Sequence, residues 1–103
     1  KQLAVNVLLV LFLTMLSCKI EDPAPLPIAN FMWKVMAVSL PVFVFLQQSQ
    51  NSVSWEWDFG NGKSSILEND TCLYDTTGTY EVWLYSTNSD LVKDSVRKYV
   101  NVN

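Results

Sequence analysis

Val53-Ser54-Trp55-Glu56-Trp57-Asp58-Phe59-Gly60-Asn61-Gly62 is the stretch that decides the fold. Val53, Trp55, Trp57 and Phe59 recur at every second position, with Ser54, Glu56 and Asp58 between them. Successive side chains of a strand point to opposite faces, so the run predicts a β-strand with one bulky apolar face and one polar face. Three aromatic rings on one side suit a sheet that lays that side against a core. Gly60-Asn61-Gly62 then predicts a turn, because glycine enters positive φ without steric cost and asparagine tolerates it. Asp58 is expected to accept hydrogen bonds from the backbone of that turn, and Glu56 to be solvated.

Outward from this run the same alternation returns. Tyr80, Val82 and Leu84 alternate with Glu81, Trp83 and Tyr85, and Val96, Val100 and Val102 with Arg97, Tyr99 and Asn101. In each strand the first set is expected to face inward and the second outward. Lys98 shares the inward parity, and is expected near the start of its strand, where its ammonium reaches water. Asp75–Gly78 and Thr87–Asp90 carry turn chemistry, and Lys63–Asp70 reads as a short edge strand and loop. Ile28–Phe31 and Val42–Leu46 predict two earlier strands.

Trp57-Asp58-Phe59-Gly60-Asn61-Gly62 resembles the WDFGDG signature of the PKD-type immunoglobulin-like domain. That family continues with a tyrosine, a G-x-Y element and a closing apolar strand, matched here by Tyr74, by Gly78-Thr79-Tyr80, and by Val100 and Val102. Ala29-Asn30-Phe31 is similar to its opening strand, and Phe43 through Ser49 to its second. Asn61 stands where the family usually has aspartate. The resemblance covers residues 28–103 and implies an all-β, immunoglobulin-like β-sandwich of about seven strands. In the family's register Phe43 and Phe45 point inward, which leaves Val44 and Leu46 outward. Tyr80 resembles a tyrosine corner, whose hydroxyl bonds back to nearby backbone. Met32 to Pro41 is apolar where the family usually has a polar connection. The favoured expectation is that Trp33–Leu40 folds back over the outer face of the second strand; the other is that a partner covers that face.

A chain of 103 residues allows one domain. It contains no histidine, which removes the commonest general base and metal ligand. A net charge of −3 without a basic cluster argues against nucleic acid as a partner. Residues 3–16 are apolar apart from Asn6 and Thr14, too short to span a bilayer comfortably and matching the core of a signal peptide. The end of this segment, Met15-Leu16-Ser17-Cys18, resembles a bacterial lipobox. That implies a lipoprotein signal peptide over 1–17 and acyl chains on Cys18, each buried CH₂ holding by ~0.8 kcal/mol. A signal peptide with an incidental cysteine, or an anchoring helix, is the plainer reading. Pro23, Pro25 and Pro27 favour extended polyproline II, so 18–27 reads as the lipidated cysteine and a tether, with the PKD-like domain at 28–103. Glu21-Asp22 resembles the acidic export tag of some surface lipoproteins, or is an ordinary solvated linker. The expected location is the bacterial outer membrane or cell surface, with its periplasmic face also open.

Few residues could carry chemistry. Glu56 and Asp58 share one polar strand face, but no cleft is built around them as a glycosidase would require. No Asp-rich run offers a calcium site. Cys72 is expected to be a lone buried cysteine acting as a small hydrophobe. Asn69-Asp70-Thr71 fits a glycosylation pattern that a bacterial lipoprotein rarely uses. Trp83, Tyr85 and Tyr99 are the candidate binding face: outward aromatics on paired strands can stack on sugars or anchor a protein, or merely stabilise the sheet. The reading is therefore a cofactor-free, non-catalytic module, held to the membrane through Cys18, that recognises an envelope protein or polysaccharide. The alternatives are an accessory domain at the N-terminus of a larger secreted hydrolase, and a structural subunit of a surface assembly that uses the apolar 33–46 region.

Overall fold

The computed structural model describes residues 22–37 and 39–103. The expectations of a signal peptide and of lipidation at Cys18 lie outside the described residues. Among the described residues seven strands are seen: β1 (Phe31–Ala37), β2 (Val42–Gln47), β3 (Ser54–Asp58), β4 (Ser64–Ser65), β5 (Asn69–Leu73), β6 (Gly78–Thr87) and β7 (Lys93–Val102). They form a three-stranded sheet, β1-β2-β5, and a four-stranded sheet, β4-β3-β6-β7. All named pairings are antiparallel. The architecture is the expected all-β sandwich.

The inward residues of both sheets meet as an aromatic core. Phe31 and Phe45 from one sheet pack on Trp57 from the other, with ring centroids 5.2 and 5.7 Å from it. Trp57 and Phe59 lie nearly parallel, and Val82, Leu84, Val100 and Val102 complete the buried set. The period-two reading of β3 holds for Trp55, Trp57 and Phe59. Val53 departs from it: it precedes β3, beyond the cover of the opposite sheet, and is 63% exposed. The indole of Trp57 donates from Nε1 to the Leu67 carbonyl at 3.0 Å, so the largest buried side chain leaves no polar atom unpaired.

The turn after β3 is built as its residue types require. Gly60 and Gly62 have φ of 80° and 86°. A Cβ on Gly60 would sit 2.5 Å from the Glu81 carbonyl oxygen, whereas Gly62 faces open space. The Gly60 amide donates to Asp58 Oδ1 at 3.0 Å. Asn61 accepts from the Lys63 amide at 3.1 Å and donates from Nδ2 toward Leu73 O at 3.4 Å and Cys72 Sγ at 3.3 Å. An aspartate could accept from Lys63 but could not donate across to β5. Cys72 is buried, and burial pushes its thiol above the ordinary value. The Tyr80 hydroxyl donates to the Thr76 carbonyl at 2.7 Å, the corner geometry its position suggested. Tyr74 donates to Phe59 O at 2.9 Å, and burial raises its phenol well above the usual tyrosine value.

Three expectations are corrected. First, the opening strand begins where it was expected to end: Ile28 makes only an isolated bridge to Gln50, and β1 runs from Phe31. Second, Trp33–Leu40 does not fold back over the second strand. Its first part is β1 itself, paired with β2 from Phe31↔Gln47 to Ala37↔Val42. Ladder pairing satisfies backbone amides and carbonyls that a segment lying across a sheet face would leave without partners. Third, Lys98 sits mid-strand in β7. Its Nζ donates to the Phe31 carbonyl at 2.6 Å and to Asn30 Oδ1 at 2.9 Å, and lies 5.2 Å from the Phe31 ring centroid. It ties β1 to β7 across the seam between the sheets.

The proline-rich segment is also less free than a tether. Ala24 donates to Asp90 Oδ2 at 2.7 Å, and Ala29 to Asp94 Oδ2 at 2.8 Å. Asn88 donates to Pro25 O and Asn51 to Leu26 O, both at 3.0 Å, and Pro27 is buried. Residues 24–27 are thus part of the folded unit, although three prolines in five residues suggested a detached spacer.

Candidate functional face

The outer face of β3-β6-β7 takes its residues from the odd parity of β6 and β7 and the even parity of β3. The register sets Asp58 beside Trp83 and Trp83 beside Arg97, and sets Glu56 beside Tyr85 and Glu81 beside Tyr99. Trp83 and Tyr85, two apart on β6, stack with centroids 5.8 Å apart and planes 9° from parallel. The Arg97 guanidinium lies 5.6 Å from the Trp83 centroid and 5.4 Å from that of Tyr99, bridging the two rings. Lys93 Nζ lies 5.8 Å from the Tyr85 ring. Rings and cations therefore alternate across the face, each cation drawn to the negative face of a π system.

Carboxylates hold this ladder in place. Trp83 Nε1 donates to Glu81 Oε1 at 2.8 Å, and Arg97 reaches the same oxygen at 3.6 Å. Lys93 and Glu56 approach to 3.9 Å. These ion pairs are exposed and individually weak, so their role is orientation more than stability. Trp83 and Tyr85 are half-buried by their neighbours, and Tyr99 is 56% exposed.

The structure thus brings the three candidate residues, Trp83, Tyr85 and Tyr99, onto one face and adds two that sequence reasoning passed over. Arg97 is expected only as an outward residue, and Lys93 precedes the closing strand expected from Val96. Their place in a period-two strand beside an aromatic strand was the available signal. Glu56 and Asp58 share the same face and serve Lys93 and the turn, with no cleft between them. Asn88 was also missed. It is buried, and its Oδ1 accepts from the Asp90 and Val92 amides, so one side chain shapes the β6–β7 turn while its Nδ2 holds Pro25. Among the described residues no cluster of three or more metal-ligating side chains occurs.

A family model described as PKD domain matches residues 27–102. The chain belongs to the PKD domain family. Domains of this family are non-catalytic modules, and the matched region is one of them. This PKD domain is similar to the PKD1 domain of Vibrio anguillarum Epp, at 26% identity and a TM-score of 0.69, over 79% of this chain and 98% of that one. It is similar also to the PKD1 domain of the Vibrio cholerae metalloprotease PrtV, at 29% identity and a TM-score of 0.67, over 77% and 99%. A structure described as carbohydrate-binding modules from the β-sandwich superfamily shares the fold, at 24% identity and a TM-score of 0.68, over 80% of this chain and 36% of that one. No curated protein sequence matches the chain.

Proposed function

We propose that the chain is a non-catalytic recognition module of the bacterial envelope, held to a membrane through acyl chains on Cys18, which binds its ligand on the Trp83/Tyr85/Tyr99 face. The observation that carries this reading is the ring-and-cation ladder on an outward sheet face. Core stability does not require those rings, since the core is filled by Trp57, Phe31, Phe45 and their neighbours. Tryptophan, tyrosine and arginine are also the residue types that dominate binding energy at protein interfaces. A protein ligand is favoured over a polysaccharide. A sugar stacks on an open ring face, whereas Trp83 and Tyr99 each share a face with the Arg97 guanidinium, and Trp83 shares one with Tyr85 as well.

The test is a screen of the soluble chain from Glu21 against envelope extracts and glycan arrays, with Trp83→Ser alongside. A protein captured by the parent and lost with the variant supports the reading, and equal capture by both overturns it. Anchoring is tested separately: Cys18→Ser should abolish palmitate labelling. A second reading, an accessory domain of a larger secreted hydrolase, is favoured by the likeness to a domain of the metalloprotease PrtV. A catalytic domain encoded beyond Asn103 would establish it.

A further inference from the structure

One end of the sandwich exposes four aliphatic side chains for which a domain in free solution has no use. The β6–β7 turn carries Leu91, 85% exposed, and Val92 beside it, 41% exposed. Leu26 and Val53, 69% and 63% exposed, are fixed at the same end. Their placement follows from hydrogen bonds: Asn51 holds the Leu26 carbonyl, Asn88 holds the Pro25 carbonyl and the Val92 amide, and the Val53 amide bonds to Thr87 O. Leu91 also has φ of 63°, in the left-handed region that glycine and asparagine occupy readily and a bulky residue does not. An exposed leucine on a strained backbone is unfavourable for folding on two counts, which marks the turn as a functional candidate.

The sequence that leads into this end is apolar. Residues 3–16 are the apolar segment, and the described chain enters the domain here, with Ala24 bonded to Asp90, the neighbour of Leu91. Only the five residues 19–23 separate Cys18 from Ala24, a reach of at most ~20 Å. We propose that Leu26, Val53, Leu91 and Val92 form a bilayer contact, resting in the headgroup region of the membrane to which acyl chains on Cys18 would hold the domain. The proposal rests on the lipid-anchor reading only for what holds the bilayer near. Asp22 and Asp90 at the same end favour zwitterionic over anionic headgroups. A second copy is a poorer occupant, because four partly exposed aliphatic side chains fall short of the ~800 Å² per partner that a stable dimer buries.

The contact would fix the orientation of the domain. The sandwich would stand on its β6–β7 turn, with the aromatic face of β3-β6-β7 directed sideways, parallel to the membrane and open to partners.

The experiment uses the full chain in phosphatidylcholine vesicles, with an environment-sensitive fluorophore on Leu91→Cys and, as the opposite-end control, on Ser39→Cys. Cys72 is buried and stays unlabelled. The mass of the mature chain reports lipidation before labelling; if Cys18 proves unmodified, the label is placed in the Cys18→Ser chain with the same vesicles. The expected result is a blue-shifted emission at position 91, quenched several-fold more than at position 39 by lipids carrying a shallow quencher. A label at Leu26→Cys should behave like that at 91, which guards against a local disturbance of the turn. Emission at 91 and 26 as water-like as at 39 overturns the proposal. A blue shift that needs no vesicles and grows with protein concentration overturns it in favour of a second copy.

Discussion

The two outer faces of the sandwich differ in what they can recognise. On β3-β6-β7, every aromatic ring has a charged neighbour at a defined distance, and the cations are placed by carboxylates on adjacent positions. On β1-β2-β5, the outward set is Met32, Met36, Val42, Val44, Leu46 and Leu73, with Lys34, Asn69 and Thr71 the polar relief. Aliphatic surface gains by leaving water, whatever covers it, because the hydrophobic effect has no direction. Rings flanked by guanidinium and carboxylate groups gain only in particular arrangements, so that face can select a partner. The contrast teaches that aliphatic surface and charge-flanked aromatic surface lie on different sides of this molecule.

Removing what both faces stand on should abolish the contrast altogether. Trp57→Ala deletes the largest buried side chain and is expected to cost ~3–5 kcal/mol, enough to unfold so small a domain. Thermal denaturation followed by near-ultraviolet circular dichroism would show no cooperative transition at 25 °C. A melt close to that of the parent would mean that the core lies elsewhere.

A subtler pair separates the aromatic face from the turn beneath it. Gly60→Ala forces a Cβ against the Glu81 backbone, adding ~1–3 kcal/mol of overpacking to ~1 kcal/mol of left-handed strain. It should also displace Glu81, and with it the placement of Trp83 and Arg97. Gly62→Ala meets no atom within 4 Å and should carry the strain alone. Equal losses from the two, read from urea midpoints, would contradict the close approach of the turn to β6.

Lys98→Met tests the seam between the faces without touching either. Loss of the charge-assisted bonds to Phe31 O and Asn30 should cost ~1–3 kcal/mol, since the Phe31 carbonyl loses its cationic partner. Amide exchange should speed up in β1 and leave β3 and β6 unchanged. Faster exchange throughout would mean that Lys98 supports the whole core.

Much of this was legible in the sequence because β3, β6 and β7 obey strict alternation, which assigns every side chain to a face once one is assigned. Trp83, Tyr85 and Tyr99 fell on a single face for that reason. The other sheet resisted the same reasoning. β1 and β2 are apolar at both parities, so period two carries no information there, and Met32–Ala37 could be read as cover where it is strand. Lys98 misled in another way: inward parity for a cation suggested a strand end, whereas two carbonyl-type oxygens on the neighbouring sheet hold it mid-strand. The docking of Ala24 and Pro25 depends on Asp90 and Asn88, more than sixty residues away in the chain, and no local pattern could reveal it.

The direct test of a selective aromatic face is a paired comparison of Tyr99→Ser and Met36→Ser, each exposed by about the same amount and each on a different outer face. Both should melt with the parent, within about 0.5 kcal/mol, as exposed substitutions do. Against a partner captured from envelope extracts, Tyr99→Ser should bind roughly tenfold more weakly, a loss of ~1.4 kcal/mol, and Met36→Ser should bind like the parent. Unchanged binding by Tyr99→Ser together with a tenfold loss from Met36→Ser would place recognition on the aliphatic face and contradict the account.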